Sequence, residues 1–344
     1  MKKHFANIQS TFICLRNWGK FLYILLFFQV LSHAQPATDS ITNESDFIEY
    51  YKDDIMLRVG VSNSFNALVI NDVINDLNFT LKPNQQIRTT ATLLFRFIEV
   101  DVGYTPDFLK FNKDDDKNGK TSYFNIGTRL YYKKWMQNLQ WYKTRGYYID
   151  AKEVNGLEQN LIFSDFKVTK VGGSTSFVCN PNFSFRAIFK QSEWQKKSAG
   201  SFVPTLTYYY TEISNENPGK NEIFDIVAGP AYFYNWVLHD HFLISGGIYT
   251  GIGYNNSKFV GGDTPNSSID GINYMTEVRF AVAYNSRNYF LGANVNFNSF
   301  YNKLESNVKV SEQQQFLEFY FGYRFKAPEK LLRKIDQATL LDKK

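Results

Sequence analysis

The chain is poor in the residues that most site chemistry requires. It holds two cysteines and four histidines in 344 residues. Cys14 falls in an N-terminal stretch read below as a cleaved leader, which leaves Cys179 without an intramolecular partner and excludes a disulfide framework. His4 and His33 lie in the same leader, so only His239 and His241 remain, two residues apart in a short segment. Clustered metal-ligand spacing is therefore lacking, and a serine nucleophile has few places to find an activating imidazole. Ser198 and Ser201 beside Lys196 and Lys197 are the nearest approach to a Ser–Lys pair, and nothing else in the sequence supports one. Long apolar runs are also missing beyond the leader, where no stretch reaches the roughly 20 apolar residues of a transmembrane helix. Net charge is scarce as well. Lys2, Lys3, Arg16 and Lys20 sit in the leader, and removing those four of the 38 basic residues leaves 34 against 33 acidic ones. A nearly neutral body gives no footing for nucleic acid.

What the chain does have is aromatic side chains in alternation. Phe, Tyr and Trp make up 17% and hydrophobic residues 44% of the sequence, yet the mean hydropathy is only -0.34. A strand places successive side chains on opposite faces, so a barrel with lipid outside and a polar lumen inside hides its apolar residues at every second position. Gln313–Phe325 shows the pattern most clearly. Leu317, Phe319, Phe321, Tyr323 and Phe325 share one face, while Glu318, Tyr320, Gly322 and Arg324 share the other. A soluble all-β protein is the alternative that this composition leaves open.

The same rhythm recurs along the chain: Leu57, Val59 and Val61; Leu77 to Phe97 at odd positions, interrupted at Pro83-Asn84; Ile98 to Tyr104 on the opposite phase after a tight turn near Arg96-Phe97. It continues through Phe124–Tyr132, Leu139–Ile149, Phe166–Val178, Phe183–Phe189, Thr205–Thr211, Phe224–Leu238, Phe242–Tyr254, Ile272–Tyr284 and Tyr289–Phe297. These segments predict an all-β fold, an antiparallel transmembrane β-barrel of about 12 strands, with 14 as the alternative. His239–His241 and Asn285–Arg287 read as tight turns, Asn255–Gly271 and Tyr301–Gln313 as long polar loops. Residues 1–34 read as a signal peptide with an apolar core at Phe21–Val30 and an exit at Ser32-His33-Ala34. Residues 35–54 read as a periplasmic lead-in with little to fold around, 55–325 as the barrel, and 326–344 as a periplasmic tail. Pro328 opens a short amphipathic helix there or a frayed end.

The charges on the polar faces are the candidate functional residues. By phase, Arg58, Arg96, Glu99, Asp101, Arg129, Arg186, Lys190, Glu277, Arg279, Glu318 and Arg324 point to the lumen. In a narrow barrel such residues pair across the interior, and in a wide one they line a pore. An inward-folded loop would shut a barrel of this size. Asp114–Asn125 resembles the start of a calcium loop but ends on Asn125 where a bidentate glutamate is needed, which favours a solvated acidic loop. Trp141-Tyr142, Tyr208–Tyr210 and Tyr232–Trp236 read as interfacial girdles, with a sugar-stacking platform as the sharper alternative.

Several segments together resemble a known family: Phe47–Arg58, Leu81–Asn84, Gly119–Thr121, Arg145–Tyr148, Phe183–Ser201 with its Gln195–Ser201 run, and the closing Gly322–Phe325. They look like the Bacteroidota family called domain of unknown function 4421, over about Asp46 to Phe325. The resemblance implies an outer-membrane barrel in a Gram-negative bacterium and implies no activity. The expectation is then a non-enzymatic small channel or solute-binding barrel, or a closed structural barrel acting through loops and tail, with a lipid- or peptide-active enzyme as the remote alternative. Expected partners are outer-membrane lipid, the barrel-assembly machinery through the closing strand Gln313–Phe325, and small solutes. No cofactor or metal is expected.

Overall fold

The computed structural model describes residues 44–334 apart from 52, 73–76, 97, 107, 110, 111, 113, 114, 155, 156, 190, 191, 216–218, 262–266 and 304–307. The leader and the end of the tail lie outside these residues. The strands are β1 (Ile48–Tyr50), β2 (Asp54–Asp72), β3 (Leu77–Lys82), β4 (Ile87–Phe95), β5 (Ile98–Tyr104), β6 (Ser122–Tyr132), β7 (Trp135–Ile149), β8 (Leu161–Phe177), β9 (Glu193–Gln195), β10 (Ala199–Phe202), β11 (Thr205–Ser214), β12 (Gly219–Gly229), β13 (Ala231–Leu238), β14 (Phe242–Gly261), β15 (Ser267–Asn285), β16 (Tyr289–Lys303) and β17 (Val308–Lys326).

All but β1 and β9 join one antiparallel sheet, and β17 pairs with β2 from Val308–Asp72 to Lys326–Asp54, which closes the ring. Three wall strands are each split in two. β10 and β11 face β13 and β12 in one continuous register, from Phe202–Tyr232 to Thr205–Gly229. Between them Pro204 lies opposite Pro230, and neither could donate to a ladder. The neighbouring Val203 and Ala231 exchange both backbone hydrogen bonds at 2.8 and 3.2 Å, and each proline carbonyl still accepts, from Phe177 and from Thr250. β3 and β4 both pair with β2 and are separated at Pro83–Gln86, with a one-residue change of register between Leu68–Leu81 and Asn63–Ile87; on the other side β4 pairs with β5, whereas β3 pairs with β7 from Leu81–Ile149 to Lys82–Tyr148. The wall therefore has twelve strands, and Leu77–Phe97 supplies one of them.

The side-chain distribution is inverted relative to a soluble protein. Val59, Phe280 and Phe319 are 56%, 54% and 59% exposed on the outer surface, whereas Arg58 and Glu318 on the inner surface are 3% and 4% exposed. Aromatic pairs mark both edges of the outer apolar band: Trp135–Phe177 (4.9 Å) and Phe242–Tyr284 (5.1 Å) toward the short-turn end, Phe124–Trp141 (5.4 Å) toward the other. Trp141, Tyr210 and Tyr232 face outward in these belts. An apolar, aromatic-edged outer band around a polar interior is the build of a transmembrane barrel.

Three sequence expectations change. The expected loops Asn255–Gly271 and Tyr301–Gln313 are mostly strand, because β14, β15, β16 and β17 run on past the apolar band. Alternation fades there since both faces meet polar surroundings, while the backbone ladder continues. The expected strand Phe183–Phe189 is not in the wall; its last four residues form a helical turn, Arg186–Phe189, and the segment folds into the barrel mouth. The lead-in is also partly folded, since β1 pairs with β9 from Ile48–Gln195 to Tyr50–Glu193. After β17, residues 329–334 are helical.

Candidate functional site

The lumen is built by the inward parity of each strand. Arg58 on β2 pairs with Glu318 on β17, which also accepts from Thr90 (3.1 Å) and Asn294 (3.3 Å), and the Arg58 guanidinium lies 4.2 Å from the Tyr320 ring centroid. Glu99 and Asp101 on β5 share Arg129 of β6 at 2.6 and 3.5 Å. Glu277 and Arg279 pair along β15. These seven residues meet as local ion pairs around the wall.

Two further buried groups escape the sequence reading. Lys170 of β8 reaches Glu312 of β17 at 2.5 Å across the barrel, between the Tyr209 and Phe300 rings at 4.5 Å each. Tyr142 donates to the same Glu312 at 3.1 Å. Asp225 accepts from Asn255 and Asn273, both at 2.7 Å. Glu312 shares the even parity of Glu318, so the signal was present in a stretch read as loop.

The remaining predicted residues do not line the middle of the lumen. Arg96 stands in the turn between β4 and β5 with φ 55°, near Asp53 at 3.7 Å. Arg186 belongs to the inserted segment and pairs with Glu193 at 3.4 Å, its guanidinium 4.4 Å from the Tyr131 ring centroid. Arg324 is buried at the short-turn end, donating to Ser286 O at 2.6 Å and lying 4.0 Å from the Tyr51 ring. Tyr51 in turn accepts from Asn285 at 3.0 Å. Burial pushes the Tyr51 hydroxyl up in pKa, against the opposing pull of the Arg324 charge. Lys190 lies outside the described residues. His239 and His241 occupy the turn between β13 and β14, where the His241 Nδ1 lies 2.8 Å from Asn285 O.

Packed side chains narrow the lumen toward both ends. At the short-turn end residues 178–189 turn inward and bury Phe183, Phe185 and Ile188 against Met136, Val203, Phe233 and Tyr249 of the wall. Gln195, fully buried, holds the insert together: its amide donates to Asn182 O (2.7 Å) and Lys197 O (2.9 Å), and its oxygen accepts from Ser184 N (2.9 Å) and Asn235 (3.1 Å). The Trp194 indole donates to Asp240 O at 3.0 Å. At the opposite end Leu68, Leu81, Tyr147, Ile149 and Val168 meet in an apolar cluster with Phe163, Ile213 and Val310 around it. Between the two clusters lies a cavity of about 310 Å³, lined by carboxamides, aromatic rings and the ion pairs above.

The family described as domain of unknown function (DUF4421) has a sequence model that matches residues 39–325. The chain belongs to that family. No curated protein matches the sequence significantly. Among solved structures, the chain is similar to the outer membrane protease OmpT of Escherichia coli, at 6% identity and a TM-score of 0.38, covering 84% of this chain and 100% of that one. It is also similar to the translocator domain of the autotransporter NalP from Neisseria meningitidis, at 8% identity and a TM-score of 0.36 over 78% and 88% of the two chains. The P. putida toluene transporter TodX follows at 6% identity and a TM-score of 0.25, over 80% and 91%. Likenesses this distant carry nothing about what the lumen of this family member handles.

Proposed function

We propose that the protein is an outer-membrane barrel that holds a small solute in a closed lumen and performs no covalent chemistry. The observation that supports this reading most is side-chain packing at both ends of the lumen, by Phe183, Phe185 and Ile188 of the insert at one end and the apolar cluster around Leu68 and Ile149 at the other. The lumen cations Arg58, Arg129, Lys170 and Arg279 each stand beside a carboxylate, so their charge is spent inside the wall. The short turns, the insert, the start of β2 and the end of β17 then face the periplasm, as in bacterial barrels generally. The leader is cleaved after Ala34, and the closing strand Gln313–Phe325 is what the assembly machinery engages.

A gated channel is the second reading. It is favoured by the insert being one contiguous segment held to the barrel wall by side-chain bonds and packing, which a single displacement could release.

Thiol accessibility tests the closed lumen. In a Cys179→Ser background, Ser174→Cys places a thiol in the cavity wall and Ser268→Cys places one on the exposed outer end. A cationic methanethiosulfonate should modify the first about a hundredfold more slowly than the second, as expected when access needs a rare opening. Equal rates would show a standing pore.

A further inference from the structure

We infer that the lumen cavity binds a neutral, hydroxyl-rich solute the size of one or two sugar rings; this deepens the closed-lumen reading and rests on it. Charge is the first argument. The cavity is lined by three cations, Arg58, Arg129 and Arg279, and three anions, Asp101, Glu277 and Glu318. Each cation lies against a carboxylate of the wall. An ionic solute would add a charge whose counter-charges in the wall are already paired, which is unfavourable in a confined space.

Hydrogen-bonding capacity is the second argument. Asn298, Gln314 and Asn66 are direct neighbours across β16, β17 and β2, and Asn296 lies one inward step along from Asn298. The Tyr142 hydroxyl donates to Glu312 and so accepts from Gln314 (2.7 Å) and Asn66 (3.4 Å), which turns the Asn66 nitrogen toward it and the oxygen away. The carboxamides of Asn138, Gln140, Asn296 and Asn298 line the same cavity with those of Asn66 and Gln314. A carboxamide can both donate and accept, and a hydroxyl matches both roles without charge.

Shape is the third. Phe316 and Tyr249 line the same space, giving apolar faces beside the carboxamide row. A volume of about 310 Å³ is at the small end of ligand sites. A sugar ring offers both requirements at once, hydroxyls around its edge and C–H groups on its faces.

The test uses the full mature chain, refolded in detergent in the presence of radiolabelled maltose and brought to equilibrium by dialysis, so that slow entry cannot mask binding. Maltose should bind saturably, and unlabelled glucose should displace it at least about tenfold more effectively than glucuronate or glucosamine of the same size. Asn298→Leu, and the double variant with Asn66→Leu, should weaken maltose binding about tenfold or more while keeping the heat-modifiable gel mobility of the folded barrel. Absence of maltose binding, displacement by glucuronate equal to that by glucose, or an unaffected Asn298→Leu variant would overturn the inference. Fast modification of Ser174→Cys would instead remove the closed-lumen reading beneath it, so the two failures are told apart.

Discussion

Arg58 and Glu318 show what a charge costs and contributes inside this barrel. Both are almost fully buried, and each is the other's main partner. Removing one side leaves an uncompensated charge, so Arg58→Met should destabilise the folded barrel by about 3–5 kcal/mol, while Arg58→Met combined with Glu318→Gln should recover most of that loss. Urea unfolding followed by tryptophan fluorescence would show it; additive losses in the double variant would contradict the pairing. A milder case lies at the outer end, where Lys82 donates to Glu153 at 2.9 Å and the Thr80 amide donates to the same carboxylate at 2.7 Å. Burial pushes the Glu153 carboxyl up, but the bonds from Lys82 and Thr80 outweigh it and hold it below its ordinary 4.5. For Lys82, burial pushes the amine down and Glu153 outweighs that, raising it above 10.5. A depressed carboxyl stabilises fully above its ordinary value and loses that contribution as pH falls through the folded value. Hydrogen-exchange protection of the Thr80 amide, corrected for intrinsic rate, should therefore stay level at neutral pH and drop below pH 4.5. Protection that ignores acidification would show that Glu153 does not hold β3.

At the scale of elements, legibility in the sequence followed exposure to lipid. Leu57, Val59 and Val61 of β2 and Phe319, Phe321 and Tyr323 of β17 have one face in an apolar band, and that face prints an unambiguous period of two. Parity then assigned Arg58, Glu99, Asp101, Arg129, Glu277, Arg279 and Glu318 without any knowledge of pairing. Beyond the band the period blurs, so Glu312 in β17 and the ends of β14 and β15 read as loop. Phe183–Phe189 misled for a different reason. Its alternating aromatics suit a wall strand, yet they fill the barrel mouth from inside, where an apolar side chain is buried whichever way it points. Its anchor, Gln195, could not be weighted from sequence because its worth lies in partners 11 and 40 residues away. Gln195→Met should leave the Ser184 amide and the Asn235 side chain short of an acceptor and loosen the insert without opening the wall. Trypsin should then cut after Lys196 and Lys197 at least about tenfold faster while the remaining barrel stays protected. Unchanged cleavage would mean that packing of Phe183, Phe185 and Ile188 holds the insert alone.

At the scale of the whole molecule, a twelve-stranded ring is wide enough for its contents to decide what it does. Here the contents are an insert at one mouth, an apolar cluster at the other, and a charge-balanced polar cavity between. On the closed-lumen reading, a barrel so filled gains stability from interior packing that an open pore lacks, and it trades away free passage. The measurement that tests this most directly is single-channel conductance in a planar bilayer, comparing the refolded mature chain with a variant whose residues 180–197 are replaced by a short Gly-Ser turn. The closed-lumen account predicts silence from the complete, demonstrably folded barrel and current from the variant. Steady, salt-proportional current through the complete barrel would contradict it.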